Sequence, residues 1–284
     1  MDNFIFVFLQ YLLPKKRISD FIGFFAKSKN FYIKSIFINT FQKIYRVNLE
    51  EAVNEDIKSY SNFNSFFTRS LKPQSRPIDN NIRSIISPAD GVVSQLGKIN
   101  LGKVIQAKGM YFSLLEFLGN DKKYFEKFKE GLFATIYLSP KDYHRVHMPI
   151  DGKLKQMIYV PGKLFSVNKI TSQTVKNLYS KNERLICFFD TARGPMAVTM
   201  VGAMIVSGII VRWEKEDCFN KRKIQKFSYP SIGKESLFIK KGEEFGRFML
   251  GSTVVICFAN NKLKWLNNLS SDSVVKMGQP IGSF

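Results

Sequence analysis

The sequence predicts an α+β protein, with a mostly antiparallel β body behind an amphipathic helical leader. Up to about residue 60, apolar residues recur at helical spacing, and after it short β-rich segments alternate with turn sequences. The chain has 284 residues, of which 45% are hydrophobic, which is enough to bury a full core. We therefore expect a helical leader over residues 1–60 and a β-rich domain over residues 61–284.

The leader opens with an apolar run over residues 4–13, and phenylalanine and isoleucine repeat at helical spacing over residues 18–25 and 33–44. Lysines and arginines are interspersed among them. Basic amphipathic helices of this kind can lie in a bilayer interface, and they can equally pack on the protein or on a second subunit. The pattern leaves both uses open.

The apolar run over residues 4–13 is too short to span a membrane, which takes about 18 to 20 apolar residues. Its basic residues, Lys15, Lys16 and Arg17, follow the run, whereas in a signal peptide they precede it. We expect neither a signal peptide nor a transmembrane helix.

The β body is predicted from short runs rich in β-branched and aromatic residues, separated by turn signals such as Ser139-Pro140 and Asp151-Gly152. One helix is predicted over residues 114–128. The predicted strands include residues 91–93, 132–138, 185–189, 196–201, 204–206 and 253–258.

The charge of the chain indicates an anionic partner. Lysine and arginine total 43 against 23 aspartates and glutamates, so the net charge is +20. This charge suits nucleic acid, acidic lipid headgroups or a phosphorylated substrate without choosing among them. Cys187, Cys218 and Cys257 are far apart and lack metal-ligand spacing, so we interpret them as reduced packing residues and expect no structural metal.

A candidate nucleophile lies in Leu250-Gly251-Ser252-Thr253, directly before an apolar β run. A serine at the mouth of a buried strand could attack the preceding carbonyl and cut its own backbone. Gly251 would assist because it has no Cβ and tolerates distorted dihedral angles. The alternative is an ordinary Gly-Ser turn that leads into a core strand.

His144 and His147 are the only histidines, and both follow a predicted strand in a Tyr-His-Arg-Val-His segment. Their spacing can aim both imidazoles into one cleft, where they suit proton transfer near neutral pH. A metal site or solvated rings are the alternatives. Asp90 lies in a Ser-Pro-Ala-Asp-Gly turn, where aspartate commonly caps the backbone. Together with a histidine and Ser252, it supplies the parts of an acid-base-nucleophile relay.

With these motifs in place, the sequence resembles the phosphatidylserine decarboxylase proenzymes of the bacterial and mitochondrial type. The resemblance runs in order from about residue 60 to the C-terminus. It is carried by Leu250 to Thr253, by Ser87 to Gly91 and by Tyr143 to Pro149, and further matches are Phe66 to Arg69, Leu71 to Pro73, Arg76 to Ile78, Tyr159 to Asn168, Asn182 to Arg184, Gly194 to Met196, Val201 to Ala203 and Lys241 to Phe248.

The resemblance implies a self-maturing enzyme. Ser252 would attack the Gly251 carbonyl to give an ester, with His147 as base and Asp90 behind it. Elimination and loss of ammonia would then leave residue 252 as an N-terminal pyruvoyl group, the covalent cofactor. The products, residues 1–251 and 252–284, should stay associated because the second begins with a core strand.

The resemblance also implies the reaction, in which phosphatidylserine forms a Schiff base with the pyruvoyl group and loses carbon dioxide to give phosphatidylethanolamine. His144 is the candidate for the decarboxylation step, as a substrate-binding group or a proton donor. Lys163 is the candidate for the substrate phosphate. A lipid substrate favours a peripheral protein on the cytoplasmic side of the inner membrane, docked through its leader, and a homodimer is expected.

Two other classes of function remain as alternatives. A Ser-His-Asp lipid hydrolase could use Ser252, His147 and Asp90 without self-cleavage, although the second glycine of the G-x-S-x-G elbow is missing. A basic nucleic-acid-binding protein would suit the net charge. No recognisable nucleic-acid module accompanies that charge, so we expect no nucleic-acid partner.

Overall fold

The largest sheet of the protein is antiparallel and is built around the strand that begins at Ser252. The computed structural model describes residues 3–204, 208–215, 218–220, 222–233, 236–249, 252–259 and 261–284. The described strands are β1 (Ser84–Ile86), β2 (Gly91–Lys98), β3 (Lys103–Ala107), β4 (Met110–Ser113), β5 (Leu132–Leu138), β6 (Arg145–His147), β7 (Gly152–Val160), β8 (Arg184–Thr191), β9 (Gly194–Gly202), β10 (Ile209–Val211), β11 (Gln225–Ser228), β12 (Phe238–Ile239), β13 (Glu244–Phe248), β14 (Ser252–Phe258), β15 (Lys264–Trp265), β16 (Val274–Val275) and β17 (Pro280–Ser283).

The strand order of the large sheet is β11-β7-β8-β9-β14-β5-β2-β16, and β12 also pairs with β7. A smaller sheet has the order β10-β13-β6, another has the order β1-β17-β15, and β3 and β4 form a two-stranded sheet. All the named strand pairs are antiparallel. The antiparallel β body predicted from the sequence is confirmed.

Strand β14 is buried along its whole length. Val254 and Ile256 belong to the apolar core on one face of the sheet, and Val255 and Cys257 belong to the core on the other face. Successive side chains of a strand point to opposite faces, so a strand covered on both sides is apolar throughout. The uninterrupted apolar run after Ser252 is explained by this position.

The helices are α1 (Asn3–Leu12), α2 (Lys15–Ala26), α3 (Phe31–Tyr45), α4 (Phe63–Phe67), α5 (Leu114–Phe117), α6 (Lys122–Phe128), α7 (Lys169–Ser172) and α8 (Leu178–Lys181), with 3₁₀ turns at Ile57–Ser59 and Pro73–Ser75. Helices α1 to α3 confirm the predicted helical leader. Asn30 caps α3, because its side chain accepts hydrogen bonds from the backbone N–H groups of Tyr32 and Ile33.

The leader packs directly on the body. Ala26 and Ile38, from α2 and α3, share one apolar cluster with Phe63, Phe66 and Phe67 of α4. The cluster therefore crosses residue 60, and the proposed domain boundary there stays a prediction. Among the described residues, no helix combines the length and the apolar character needed to cross a membrane.

The structure differs from the predicted elements and packing roles at three places. The helix predicted over residues 114–128 is wrong as one element, because Gly119 and Asn120 adopt φ angles of +71° and +59° and separate α5 from α6. In the strand predicted at residues 204–206, Met204 lies in a turn and the other two lie outside the described residues. Cys187 and Cys257 are buried, whereas Cys218 is exposed, so the packing role predicted for Cys218 is wrong.

Candidate active site

Ser252 is the first residue of β14 and is completely buried. It pairs with Leu138 at the end of β5 and with Gly202 at the end of β9. Ser252 therefore lies at the end of a central strand, between two neighbouring strands. Its Oγ atom has no hydrogen-bond partner among the described residues. A buried hydroxyl without a partner costs free energy, which is typical of a site with a chemical role. Gly251, the other side of the predicted scissile bond, lies outside the described residues.

Asp90 is fixed by an arginine that the sequence motifs did not single out. The Nε atom of Arg76 donates to the two carboxylate oxygens of Asp90 at 2.8 and 3.0 Å, and Nη2 makes a further contact. The backbone N–H of Met277 donates to the same carboxylate at 2.8 Å. The same Nη2 atom of Arg76 also donates to the carboxylate of Glu51 at 2.7 Å. Asp90 therefore belongs to a buried ion-pair network.

The glycine after Asp90 is required by close packing. A Cβ atom on Gly91 would lie 2.3 Å from the carbonyl oxygen of Tyr137, well inside the van der Waals limit. The neighbouring residue, Val92, pairs with Tyr137, which in turn pairs with Thr253. The Asp-Gly sequence thus lets the turn that carries Asp90 approach the strands around Ser252.

His147 ends β6 and is held at both ring nitrogens. Nδ1 lies 2.8 Å from the carbonyl oxygen of Gly242, which can only accept, so Nδ1 carries the proton. Nε2 therefore accepts from the hydroxyl of Tyr143 at 3.0 Å. Burial lowers the pKa of His147 below its usual value, and the Gly242 hydrogen bond and the charges of Glu244 and Asp90 oppose that change. The ring is neutral near pH 7.

The predicted relay from Asp90 to His147 is not a direct hydrogen bond in this structure. The described hydrogen bonds of the His147 ring go to Tyr143 and Gly242, while those of the Asp90 carboxylate go to Arg76 and Met277. Asp90 still acts on His147 through space, because its charge raises the pKa of the imidazole. Asp90 is thus close enough to His147 for its charge to affect the protonation of the imidazole, although no hydrogen bond joins the two side chains among the described contacts.

His144 is fully buried and presents an open lone pair. Its Nδ1 lies 2.9 Å from the carbonyl oxygen of Asp142, so Nδ1 carries the proton and Nε2 does not. Nε2 has no hydrogen-bond partner among the described residues. The ring of Phe67 packs against the imidazole, with 4.0 Å between ring centroids. Burial, aided by the charge of Arg69, lowers the pKa of His144 to about 3.

Strand pairing brings both histidines beside the segment that leads to Ser252. His147 pairs with Glu244 of β13, and the backbone N–H of Phe248 donates to the carbonyl oxygen of His144 at 3.1 Å. Only the segment of residues 249–251 separates Phe248 from Ser252. Two sequence motifs that are about a hundred residues apart are thus joined through the sheet β10-β13-β6.

Arg69 is a second functional candidate that the motifs did not single out. It is 4% exposed, and its Nη2 donates to the carbonyl oxygen of Lys141 at 3.0 Å. Its Nε and Nη1 atoms have no partner among the described residues. Burial lowers the pKa of Arg69, and the charges of Asp90 and Asp142 oppose that change. Arg69 therefore supplies positive charge beside His144.

Lys163, the residue predicted to bind the phosphate, is exposed. Its backbone is fixed by a bridge to Asn182. Its charge acts on Lys15 at the start of α2, whose pKa is lowered mainly by burial and further by Lys163. No described hydrogen bond or ion pair joins Lys163 to the histidines, so the structure places it next to the leader.

Comparison with known proteins connects this geometry to a family. The family model described as phosphatidylserine decarboxylase matches residues 63–283, and a model described as PSD matches residues 5–46. The chain belongs to the phosphatidylserine decarboxylase family. The predicted resemblance is thereby confirmed, and it extends into the leader.

Phosphatidylserine decarboxylase proenzymes of Pseudomonas are similar to this chain over nearly its full length. A Pseudomonas putida protein is 47% identical over 283 residues, which cover 100% of this chain and 99% of the relative. A Pseudomonas entomophila protein is 48% identical, covering 98% of this chain and 97% of the relative. A Pseudomonas fluorescens protein is 46% identical, covering 99% and 98%. The individual roles of Asp90, His144, His147, Lys163 and Ser252 stay predictions.

Proposed function

We propose that the chain cuts itself between Gly251 and Ser252 and then decarboxylates phosphatidylserine to phosphatidylethanolamine. The observation that carries this proposal is a pair of buried polar atoms, Oγ of Ser252 and Nε2 of His144, that have no partner among the described residues, in a member of the phosphatidylserine decarboxylase family. A hydroxyl that could lose a proton and a neutral imidazole that could accept one are the groups that the reaction needs.

Self-cleavage starts with attack of the Ser252 Oγ on the Gly251 carbonyl carbon. The hydroxyl proton goes to a neutral imidazole, the Gly251–Ser252 C–N bond breaks, and an ester links Gly251 to the Ser252 side chain. Removal of the Ser252 α-proton then expels the Gly251 carboxylate and leaves a dehydroalanine. Its imine tautomer adds water and loses ammonia, so residue 252 becomes an N-terminal pyruvoyl group.

We assign the base of this step to His147, with Asp90 as an electrostatic partner. Burial keeps the imidazole neutral, and the Asp90 charge stabilises the imidazolium that forms. Because the Tyr143 hydroxyl occupies Nε2, it must either turn away or pass the proton on. Arg76 supports the step by holding the Asp90 carboxylate in place.

The residues present fit a pyruvoyl group at position 252. The backbone there is anchored between Leu138 and Gly202, and the side chain lies in a buried space where Oγ makes no hydrogen bond to the described residues. A pyruvoyl group supplies the electron sink that an amino acid decarboxylase requires and that no ordinary side chain provides.

His144 is the proposed acid-base residue of turnover. Its neutral ring has a lone pair on Nε2, which can take up a proton and return it to the substrate Cα after carbon dioxide has left. Arg69, whose Nε and Nη1 atoms have no partner in the part of the chain that the structure describes, offers positive charge to the anionic headgroup. Lys163 remains the weaker candidate for the phosphate, because it is exposed.

We further propose that the protein acts as a peripheral protein on the cytoplasmic face of the inner membrane. The leader exposes Phe21, Phe24 and Tyr32, which are 65, 74 and 75% exposed, and the chain carries a net charge of +20. Exposed aromatic rings and positive charge both favour binding to anionic lipid.

The two cleavage products should remain associated. Strand β14 begins at Ser252 and pairs along its whole length with β5 and β9, so release of residues 252–284 would expose the centre of the core. A homodimer stays a prediction.

Intact mass measurement tests the proposal, with Ser252→Ala as the uncleaved control. We expect the unsubstituted chain to give residues 1–251 and a fragment of residues 252–284 that is lighter than encoded by one ammonia. Borohydride in the presence of phosphatidylserine should attach the lipid to the small fragment only. A single intact chain that hydrolyses lipid esters would overturn the proposal and favour a Ser-His-Asp hydrolase.

A further inference from the structure

A cavity of about 500 Å³ lies between the leader and the body. Among the described residues no charged side chain lines it, and Thr40 and Tyr45 are the polar residues of that wall. The lining residues are Ile22, Ile36, Phe37, Thr40, Phe41, Ile44, Tyr45, Phe63, Phe67, Pro140 and Met204. The leader helices α2 and α3 therefore form one wall and the catalytic body forms the other.

The cavity is adjacent to the candidate active site. Phe67 is shared, because its ring lines the cavity and also packs against the imidazole of His144. Pro140 lies two residues beyond Leu138, and Met204 lies two residues beyond Gly202. Leu138 and Gly202 are the two strand partners of Ser252. The cavity thus lies beside the strand ends at which Ser252 is found.

The end of α3 reinforces this placement. Burial raises the pKa of Tyr137, and electrostatic interactions with Asp142 and with Tyr45, which lines the cavity, add to that increase. Tyr137 pairs with Thr253, the residue after Ser252. The leader therefore reaches the neighbourhood of Ser252 from the side of the cavity.

The cavity also borders the exposed apolar surface of the leader. Ile36 and Ile44 line the cavity and are 64 and 65% exposed. One helical turn before Ile36, Tyr32 is 75% exposed. Apolar side chains therefore extend from the surface proposed to dock on lipid, along the cavity wall, to Phe67.

We propose that this cavity holds an acyl chain of the phospholipid substrate. The inference rests on the proposed function, and it makes the leader part of the substrate site as well as a membrane anchor. A hydrocarbon chain suits a wall without charges, since burial of apolar surface drives binding and an unpaired charge there would oppose it. The headgroup, which is charged, would then lie on the other side of Phe67, beside His144 and Arg69.

A cavity-filling substitution tests the inference through substrate chain length. Thr40→Trp should obstruct the cavity, whereas Asn39→Trp places the same side chain at the adjacent position of α3, which does not line it. With long-chain phosphatidylserine in mixed detergent micelles, we expect Thr40→Trp to raise KM about tenfold or more. Its kcat/KM with glycerophosphoserine, which has no acyl chain, should be unchanged. Asn39→Trp should leave both substrates unaffected.

Photo-crosslinking provides a readout that does not depend on turnover. Phosphatidylserine with a diazirine in mid-chain is irradiated with the uncleaved Ser252→Ala protein in detergent. We expect label on Phe63, Phe67 or Met204, which line the cavity from the body, and we expect Thr40→Trp to abolish it. Label confined to the exposed leader residues Phe24 and Tyr32 would indicate contact with the micelle alone and would overturn the inference.

The outcomes separate this inference from the proposed function. Unchanged KM for long-chain substrate in Thr40→Trp, or an equal loss with glycerophosphoserine, would reject the acyl-chain cavity while leaving the decarboxylase intact. Absence of decarboxylation in the unsubstituted protein would reject the proposed function, and the inference with it. Intact mass should confirm that Thr40→Trp and Asn39→Trp still cleave at Gly251.

Discussion

The hydroxyl of Tyr143 donates a 3.0 Å hydrogen bond to Nε2 of His147, the ring nitrogen that must be free if this histidine is a base. The other nitrogen is held by the carbonyl oxygen of Gly242 at 2.8 Å, which fixes the tautomer. Tyr143 is itself buried, and that burial raises the pKa of its phenol, so the hydroxyl keeps its proton. Tyr143 thus controls the basicity of His147.

Replacing Tyr143 with phenylalanine should shift the pH dependence of self-cleavage upward. A hydrogen bond to the neutral ring disfavours the imidazolium, so its removal raises the pKa of His147. The variant should also lose about 1 kcal/mol of stability, because Nε2 is left without a donor. The cleavage rate is measured by mass spectrometry across pH, with the exposed Tyr111→Phe as control. An unchanged profile would contradict the role of the hydroxyl.

Substitution of Arg76 by lysine should slow maturation. Lysine keeps the charge but cannot reproduce the contacts of two guanidinium nitrogens with Asp90, so the carboxylate is less firmly positioned. We expect an uncleaved precursor to persist and a stability loss of about 1 to 3 kcal/mol. Pulse-chase electrophoresis measures the precursor, and the exposed Arg83→Lys is the control. Cleavage at the normal rate would show that maturation does not need the two-nitrogen contact of Arg76 with Asp90.

Burial of His144 as a neutral ring should make the protein sensitive to acid. The pKa of His144 is about 3 when folded and 6.5 as an unperturbed group, so between these values only the unfolded chain binds this proton. The contribution of the neutral His144 ring to the free energy of unfolding is complete above pH 6.5. It decreases as pH falls, by about 1.4 kcal/mol per pH unit.

Denaturant titration at pH 7 and pH 5 measures this effect. Ser252→Ala provides a single uncleaved chain, and the double variant with His144→Gln removes the titrating ring. We expect the double variant to lose about 2 kcal/mol less on acidification than Ser252→Ala alone. Equal losses would mean that His144 does not change protonation on unfolding in this range.

Exposed aromatic residues of the leader should determine membrane affinity. Phe24 and Tyr32 are 74 and 75% exposed, and removing one such ring from the bilayer interface should weaken binding about tenfold. Flotation with vesicles that contain phosphatidylserine measures the partitioning of Phe24→Ser and Tyr32→Ser. Ile232→Ser is the matched control, since Ile232 is 88% exposed but lies in the body. Equal losses in all three variants would argue against docking through the leader.

Local patterns predicted much of the architecture. The strand over residues 132–138 is found with the predicted bounds, and the strand after Ser252 differs by one residue at its start. Such strands are readable because an unbroken apolar run bounded by turn residues suits a strand covered on both faces. The Leu-Gly-Asn sequence at residues 118–120 was an equally local signal, and it accounts for the break between α5 and α6.

The family motifs also marked the candidate site in advance, because each motif keeps its residues within a short stretch of chain. Ser252, His144 and Asp90 were all identified in this way. Sequence reasoning did not single out Arg76 or Arg69 as candidates, although both lie inside stretches that match the family. The sequence around a charged loop residue does not show which group that residue contacts in the folded protein.

The tertiary structure decided which groups are paired, which are buried and which are left open. Arg76 takes the Asp90 carboxylate, Tyr143 takes the His147 lone pair, and Phe67 covers His144. Hydrogen bonds and pKa values depend on neighbours that packing brings together from distant segments. The sequence by itself determined the fold class and the family and predicted the candidate site residues, whereas folding determined the protonation states of those residues and placed the apolar cavity beside them.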